Sequence, residues 1–198
     1  ALRGIGGGNV TFADGSVLVV GDGIAGTSGD DGANIFSIRT DFAAAVNAHN
    51  HMIGLAGDDQ LTGGASGDRL DGGAGADRLA GTGGFDTLSG GRGADFLIGG
   101  GGDDMIWGGA GLDTILGRDG ADPIVAGAGH DTFRFRSGDS TPGSADWIND
   151  FDRAQDRIDL HLIAAVDGRP NSAFHWIGDD NFSGPAGELH AVTQGGNT

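Results

Sequence analysis

The sequence predicts an all-β protein: a parallel β-roll, or flattened β-helix, followed by a β-rich capping module. Three observations predict it. A nine-residue pattern, Gly-Gly-x-Gly-x-Asp-x-U-x with U a large apolar residue, runs without a break from Gly54 to Arg134. Glycine supplies 43 of 198 residues while 37% of the chain stays apolar, so a period supplies the order that an aperiodic glycine-rich chain lacks. Of the 28 acidic residues all but Glu188 are Asp, a bias that points to a short carboxylate needed at fixed loop positions rather than to a merely solvated surface.

Four regions follow along the chain. Residues 1–25 contain VTFADGSVLVVGD (10–22), whose alternation around Asp14-Gly15 reads as a β-hairpin. Residues 26–53 read as degenerate repeats forming an N-terminal cap. Within them GTSGDDGAN (26–34) keeps Asp31 at place six but lies one residue out of phase. AVNAHNHMI (45–53) is in phase, with Asn50 at the aspartate place and Met52 at the apolar place, and DFAAAVNA (41–48) is open to a short helix or a loop. Residues 54–134 are the repeat array. At Phe135 the period stops, and 135–198 reads as a capping, secretion-associated module that is expected to be truncated.

Each place in the repeat has a physical task. Two repeats, 18 residues, fit one coil, with the first six places of each forming a turn and the last three a short strand. Alternation along a strand turns the apolar place inward and its two neighbours outward. Leu61, Leu70, Leu79, Leu88, Leu97, Ile106, Ile115, Ile124 and Phe133 should therefore stack into a narrow core. No single repeat can bury its own apolar face, so coils must stack. The glycines permit positive φ and close approach of one turn to the next.

Stacked turns bring carboxylates and carbonyls together, an arrangement that repels itself without a cation. Calcium takes 6–8 oxygen ligands of these two kinds, whereas magnesium demands a stricter octahedron with retained water. Alternate repeats lie on the same side. Asp59, Asp77, Asp95, Asp113 and Asp131 are expected to form one ladder, and Asp68, Asp86, Asp104 and Asp122 the other, with Asn50 extending it. The carbonyls of Gly57, Gly63, Gly72, Gly75, Gly81, Gly84, Gly90, Gly93, Gly99, Gly102, Gly108, Gly111, Gly117 and Gly120 would complete the ligand sets. The gaps within the ladders predict about seven ions, or more if the ends also bind.

Some repeats depart from the pattern. Ser66 replaces the glycine of place four, where a non-glycine residue at positive φ would cost about 1 kcal/mol. Leu55, Thr82 and Arg118 replace the second glycine and Ala126 the first. Pro123 lacks an N–H and should leave one rung unmade. The outward places turn from polar (Gln60, Arg69, Arg78, Thr87) to apolar (Phe96, Ile98, Met105, Trp107, Leu116, Val125). Such a patch is covered either by residues 135–198 or by a separate domain that docks on it.

The repeat resembles that of the RTX (repeats-in-toxin) calcium-binding β-roll. The segments DTFRF (131–135), ADWINDFDRAQDRIDL (145–160) and FSGPAGEL (182–189) resemble the C-terminal region of serralysin-type secreted metalloproteases. The resemblance implies a bacterial protein exported by type I secretion machinery without a cleavable N-terminal signal. It also makes a catalytic domain preceding this chain one of the partners the parent protein could carry. It makes Asp146 and Asp156 candidate ligands of a further calcium, against their plainer reading as turn and surface residues. Phe151, Ile158 and Leu160 read as core.

Several functions are disfavoured. A net charge of −17 opposes nucleic acid, which needs basic patches, and opposes compaction unless cations neutralise it. Cysteine is absent, so a staple must come from elsewhere, with metal the evident choice. No apolar run approaches the roughly 18 residues of a membrane span. No His-Glu-x-x-His zinc helix exists, and His49-Asn50-His51 spells a nuclease-like triplet without supporting context. The chain is therefore expected to be non-enzymatic: a module that folds on meeting extracellular calcium and supports the secretion and stability of its parent. Two alternatives are a surface-associated adhesive or polysaccharide-binding module, and the C-terminal part of a secreted protease, lipase or alginate-modifying enzyme.

Overall fold

The computed structural model describes residues 10–11, 17–20, 35–37, 48–136, 138–139 and 143–162. The segment 26–34 with Asp31, residues 41–47 of the helix-or-loop stretch and the FSGPAGEL segment lie outside them. The described residues form two sheets that face each other, with no helix among them. One sheet contains β1 (Val10–Thr11), β2 (Val17–Val20), β4 (His51–Ala56), β6 (Arg69–Ala74), β8 (Thr87–Arg92), β10 (Met105–Gly111), β12 (Pro123–Gly129) and β14 (Trp147–Ile148), hydrogen-bonded in that order. The other contains β3 (Ile35–Ser37), β5 (Gln60–Thr62), β7 (Arg78–Gly83), β9 (Phe96–Gly101), β11 (Thr114–Asp119), β13 (Thr132–Arg136) and β15 (Arg157–Leu162). β1 and β2 pair antiparallel, and every other neighbouring pair is parallel. Odd and even repeats thus feed opposite sheets, and the described residues form an all-β parallel β-solenoid.

Register follows the 18-residue coil. Leu70 lies beside Leu88, Leu88 beside Ile106 and Ile106 beside Ile124. Leu61, Leu79, Leu97, Ile115 and Phe133 form the corresponding row opposite. Met52, in phase with the array, pairs with Leu70 and is fully buried. These side chains make one continuous core, with Phe135, Ile148 and Phe151 packed partly against it. Each buried leucine or isoleucine contributes about 1.5–3 kcal/mol relative to exposure.

The strands are longer than the repeat predicts. Most run six or seven residues, through the apolar place and on into places one to three of the next repeat. The backbone of the turn itself stacks: N–H groups at place four donate to carbonyls of place three one coil on, as from Gly75 to Arg92 and from Gly93 to Ala110. A second series carries the place-seven N–H to the aspartate carbonyl one coil back, as from Thr87 to Asp68 and Met105 to Asp86. Among the described residues this series skips Pro123, which has no N–H.

After Phe135 the coils continue with longer connections. β14 joins β12 and β15 joins β13, with Ile148 beside Ile124 and Ile158 beside Phe133. Phe151 closes the end of the core, its ring centroid 5.8 Å from that of Phe133. The outer faces are not uniformly open. Met105, Trp107 and Trp147 are exposed, but Leu116 is only 1% exposed although it lies outside the core cluster, so the outward apolar row is covered in part.

Candidate metal centre

Aspartates at place six form two buried rows along the edges of the roll. All nine, from Asp59 to Asp131, are at most 4% exposed. One oxygen of eight of them has a defined task. Oδ1 of Asp77, Asp95, Asp113 and Asp131 accepts the backbone N–H of the aspartate one coil earlier, at 2.8–2.9 Å. Asp68, Asp86, Asp104 and Asp122 form the other row by the same bond, beginning at the N–H of Asn50. The rows extend past the repeats. Asp122 donates to Oδ1 of Asp146 at 3.2 Å, and Asp131 to Oδ1 of Asp156 at 3.0 Å.

The second oxygen is the informative one. Oδ2 of Asp77, Asp86, Asp95, Asp104, Asp113, Asp122 and Asp131 is buried without a hydrogen-bond donor. An unmatched charged oxygen in the interior costs several kcal/mol, and a row of them implies a missing positive partner. Its surroundings are oxygen-rich. A Cβ placed on Gly72 would meet the carbonyl oxygen of Gly90 at 2.7 Å and, closer still, Oδ2 of Asp77. The same pair recurs over Gly54, Gly63, Gly81, Gly90, Gly99 and Gly108. There the carbonyls belong to Gly72, Gly81, Gly99, Gly108, Gly117 and Ala126 respectively. Only glycine at place one leaves this space open.

Other carbonyls aim along the stack in the opposite sense. Those of place two, including Gly73, Gly91 and Gly109, point at the place-two glycine of the following coil. Those of place four, Gly57, Gly75, Gly84, Gly93, Gly102 and Gly111, point likewise at the place-four glycine. A side chain there would collide with backbone. Positive φ is required as well, for example +131° at Gly93 and +149° at Gly111. Leu55, Thr82 and Arg118 adopt positive φ at place two despite their side chains. Ser66 does not; its turn takes another form, so the strain expected there is absent.

Among the described residues no three His, Cys, Asp or Glu side chains converge on one point. A cation between coils would therefore draw on aspartate Oδ2 and backbone carbonyls, a hard all-oxygen set suited to calcium. Electrostatics agree. Burial, opposed by the backbone hydrogen bond and reinforced by neighbouring carboxylates, pushes Asp77 up to about 6, Asp113 up to about 7 and Asp104 up to about 8. Burial raises Asp86 to about 7, with Asp68 adding to it. At the C-terminal end burial and then the charge of Asp122 push Asp146 to about 8. Without a cation, burial makes these groups keep their protons to a higher pH than they would in water.

Asp68 differs from its neighbours, because Gly64 N–H donates to its Oδ2 at 2.5 Å. Sequence reasoning missed Asp150, which accepts the N–H groups of Ala126 and Gly127 at 2.9 and 2.7 Å and so closes the last place-one turn of its row. No repeat pattern extends to it, so its spacing carried no signal.

A family model for the RTX calcium-binding nonapeptide repeat, four copies long, matches residues 46–79, 80–115 and 107–142. Matched residues and described coils coincide over the array, and the buried, donor-poor aspartate oxygens lie where the repeat repeats. The segment 46–142 is an array of RTX calcium-binding nonapeptide repeats folded as a parallel β-roll.

Proposed function

We propose that this chain is the calcium-triggered folding module of a secreted bacterial protein exported by a type I route. The observation that carries this reading is the double row of buried aspartates, in which Oδ2 of Asp77, Asp86, Asp95, Asp104, Asp113, Asp122 and Asp131 receives no donor. Asp59, Asp77, Asp86, Asp95, Asp104, Asp113, Asp122 and Asp131 would hold the ions, together with place-two and place-four carbonyls of the same coil and the place-one carbonyl of the next. At most one ion per gap gives up to about seven, fewer where a protein donor already fills a gap as at Asp68, with Asp146 and Asp156 available to extend each row. Calcium supplies the charge that lets these carboxylates stay ionised and buried. The polypeptide's part is to set the spacing, exclude water and keep the turns close.

The switch is linkage. An ion that binds only the folded state stabilises it by about 2.7 kcal/mol per site at a hundredfold excess over its dissociation constant. Where free calcium is scarce, a chain of charge −17 with no disulfide resists compaction and stays competent for export. Extracellular calcium modules commonly have dissociation constants of about 10⁻⁴–10⁻³ M, so millimolar calcium outside the cell would drive folding. The likeness of 131–160 to serralysin-type proteases adds the expectation of a catalytic domain ahead of Ala1. Far-UV circular dichroism across a calcium titration, with magnesium and chelator controls, tests the reading. It expects a cooperative gain of β signal near millimolar calcium and none with magnesium. A chain equally folded in chelator would overturn it.

A further inference from the structure

The turn at 63–68 departs from all other turns of the array. In every other repeat places two and four have positive φ, whereas neither Gly64 nor Ser66 does. β5, which leads into this turn, stops at Thr62 after three residues. The reason is legible in the hydrogen bonds. With Ser66 at place four the chain folds inward, and Gly64 N–H reaches Oδ2 of Asp68 at 2.5 Å. Oδ1 of Asp68 accepts both the backbone N–H and the side-chain amide of Asn50, at 2.7 and 2.8 Å. His49 donates from Nδ1 to the carbonyl of Gly67 at 2.6 Å. From the following coil, the hydroxyl of Thr82 donates to the carbonyl of Gly64.

Oxygens that elsewhere await a cation are here occupied by protein donors. Burial raises Asp68 as it does its neighbours, but here three N–H bonds oppose the rise, and a cation entering this gap would have to displace the donor on Oδ2. Each departure from the repeat in this corner contributes: Asn50 for aspartate, Ser66 and Thr82 for glycine. The His49-Asn50 pair, which has no catalytic context, has a structural task here.

We infer that the gap between Asp68 and Asp86 binds no calcium: Gly64 and Thr82 close it as a metal-independent latch, while His49 and Asn50 brace the same turn from the coil before. This rests on the calcium reading of the other gaps. The latch gives the N-terminal end of the roll a corner that is ordered before any ion arrives.

Equilibrium dialysis of the full chain against saturating calcium, with metal analysis of the retained protein, tests it. Asp68→Asn is expected to bind as many ions as the parent chain, and Asp104→Asn, in the same row but with Oδ2 lacking a donor, at least one fewer. Loss of an ion from both variants overturns the latch. Loss from neither overturns the calcium reading on which it rests. Should Asp68→Asn fail to fold, the reverse change decides: Asn50→Asp with Ser66→Gly and Thr82→Gly restores the repeat and is expected to add one ion per chain. No gain overturns the inference.

Discussion

The inner row of leucines and the outer rows of aspartates run along the same coils, two residues apart, yet they stabilise the roll under different conditions. Leu88 and its neighbours are fully buried and need only each other. Asp86 and its neighbours are equally buried but lack a donor for one carboxylate oxygen. Packing in this molecule is unconditional, whereas the turns depend on a solute. A core one side chain wide offers little surplus to absorb the cost of the turns, so the fold as a whole inherits their conditionality.

Chelation is the sharpest way to break that comparison. At neutral pH, removal of calcium forfeits about 2.7 kcal/mol per site at a hundredfold excess over the dissociation constant. Several sites then exceed the 5–15 kcal/mol by which proteins are ordinarily stable. Loss of the β signal in circular dichroism is expected, and its survival would mean that the leucine row suffices. Next in size is Leu88→Ala, which leaves a cavity in the middle of the core and should cost about 2–5 kcal/mol in urea unfolding at saturating calcium. Because folding and binding are linked, the same variant should need more calcium to fold although it touches no ligand.

Acid offers a third route. Burial raises Asp77, Asp86, Asp104 and Asp113 from 3.8 to between about 6 and about 8. With folded-state values above unfolded ones, the contribution of these groups is fully present below about pH 4 and is lost as pH rises through 6–8. The calcium-free chain should accordingly regain part of its β signal near pH 4 and lose it again towards pH 8. In calcium the trend reverses, since protons compete with the ion. A calcium-free chain that becomes less ordered on acidification would contradict the burial of these carboxylates. The smallest effect is expected at the surface, where the Arg78 guanidinium lies 4.4 Å from the centroid of the Phe96 ring. Arg78→Ala should cost about 0.5–1 kcal/mol by thermal unfolding in calcium, with no change in ions bound.

The coil, the core and the aspartate rows were legible because each depends on one place of a fixed period. Met52 and Asn50 were legible for the same reason, although their repeat is otherwise eroded. Strand length was not, because the hydrogen bonds that extend strands into places one to three join successive coils and leave no trace within one repeat. The turn at Ser66 escaped in another way. A missing glycine signals either strain or a changed turn, and only the donors from His49, Asn50 and Thr82, one coil away on either side, decide which. Leu116 shows the limit of alternation, which tells that a side chain leaves the core but not whether other residues cover it.

The constant offset of 18 residues between neighbouring strands constrains how such a gene can change length. Duplicating or deleting a single nine-residue unit would send every downstream strand to the opposite sheet and exchange the two aspartate rows. β14 and β15, with their longer connections, would then arrive on the wrong walls. A change of two units at once leaves both ends in place and alters only the height of the stack. The array can therefore grow or shrink like a spring cut at whole windings.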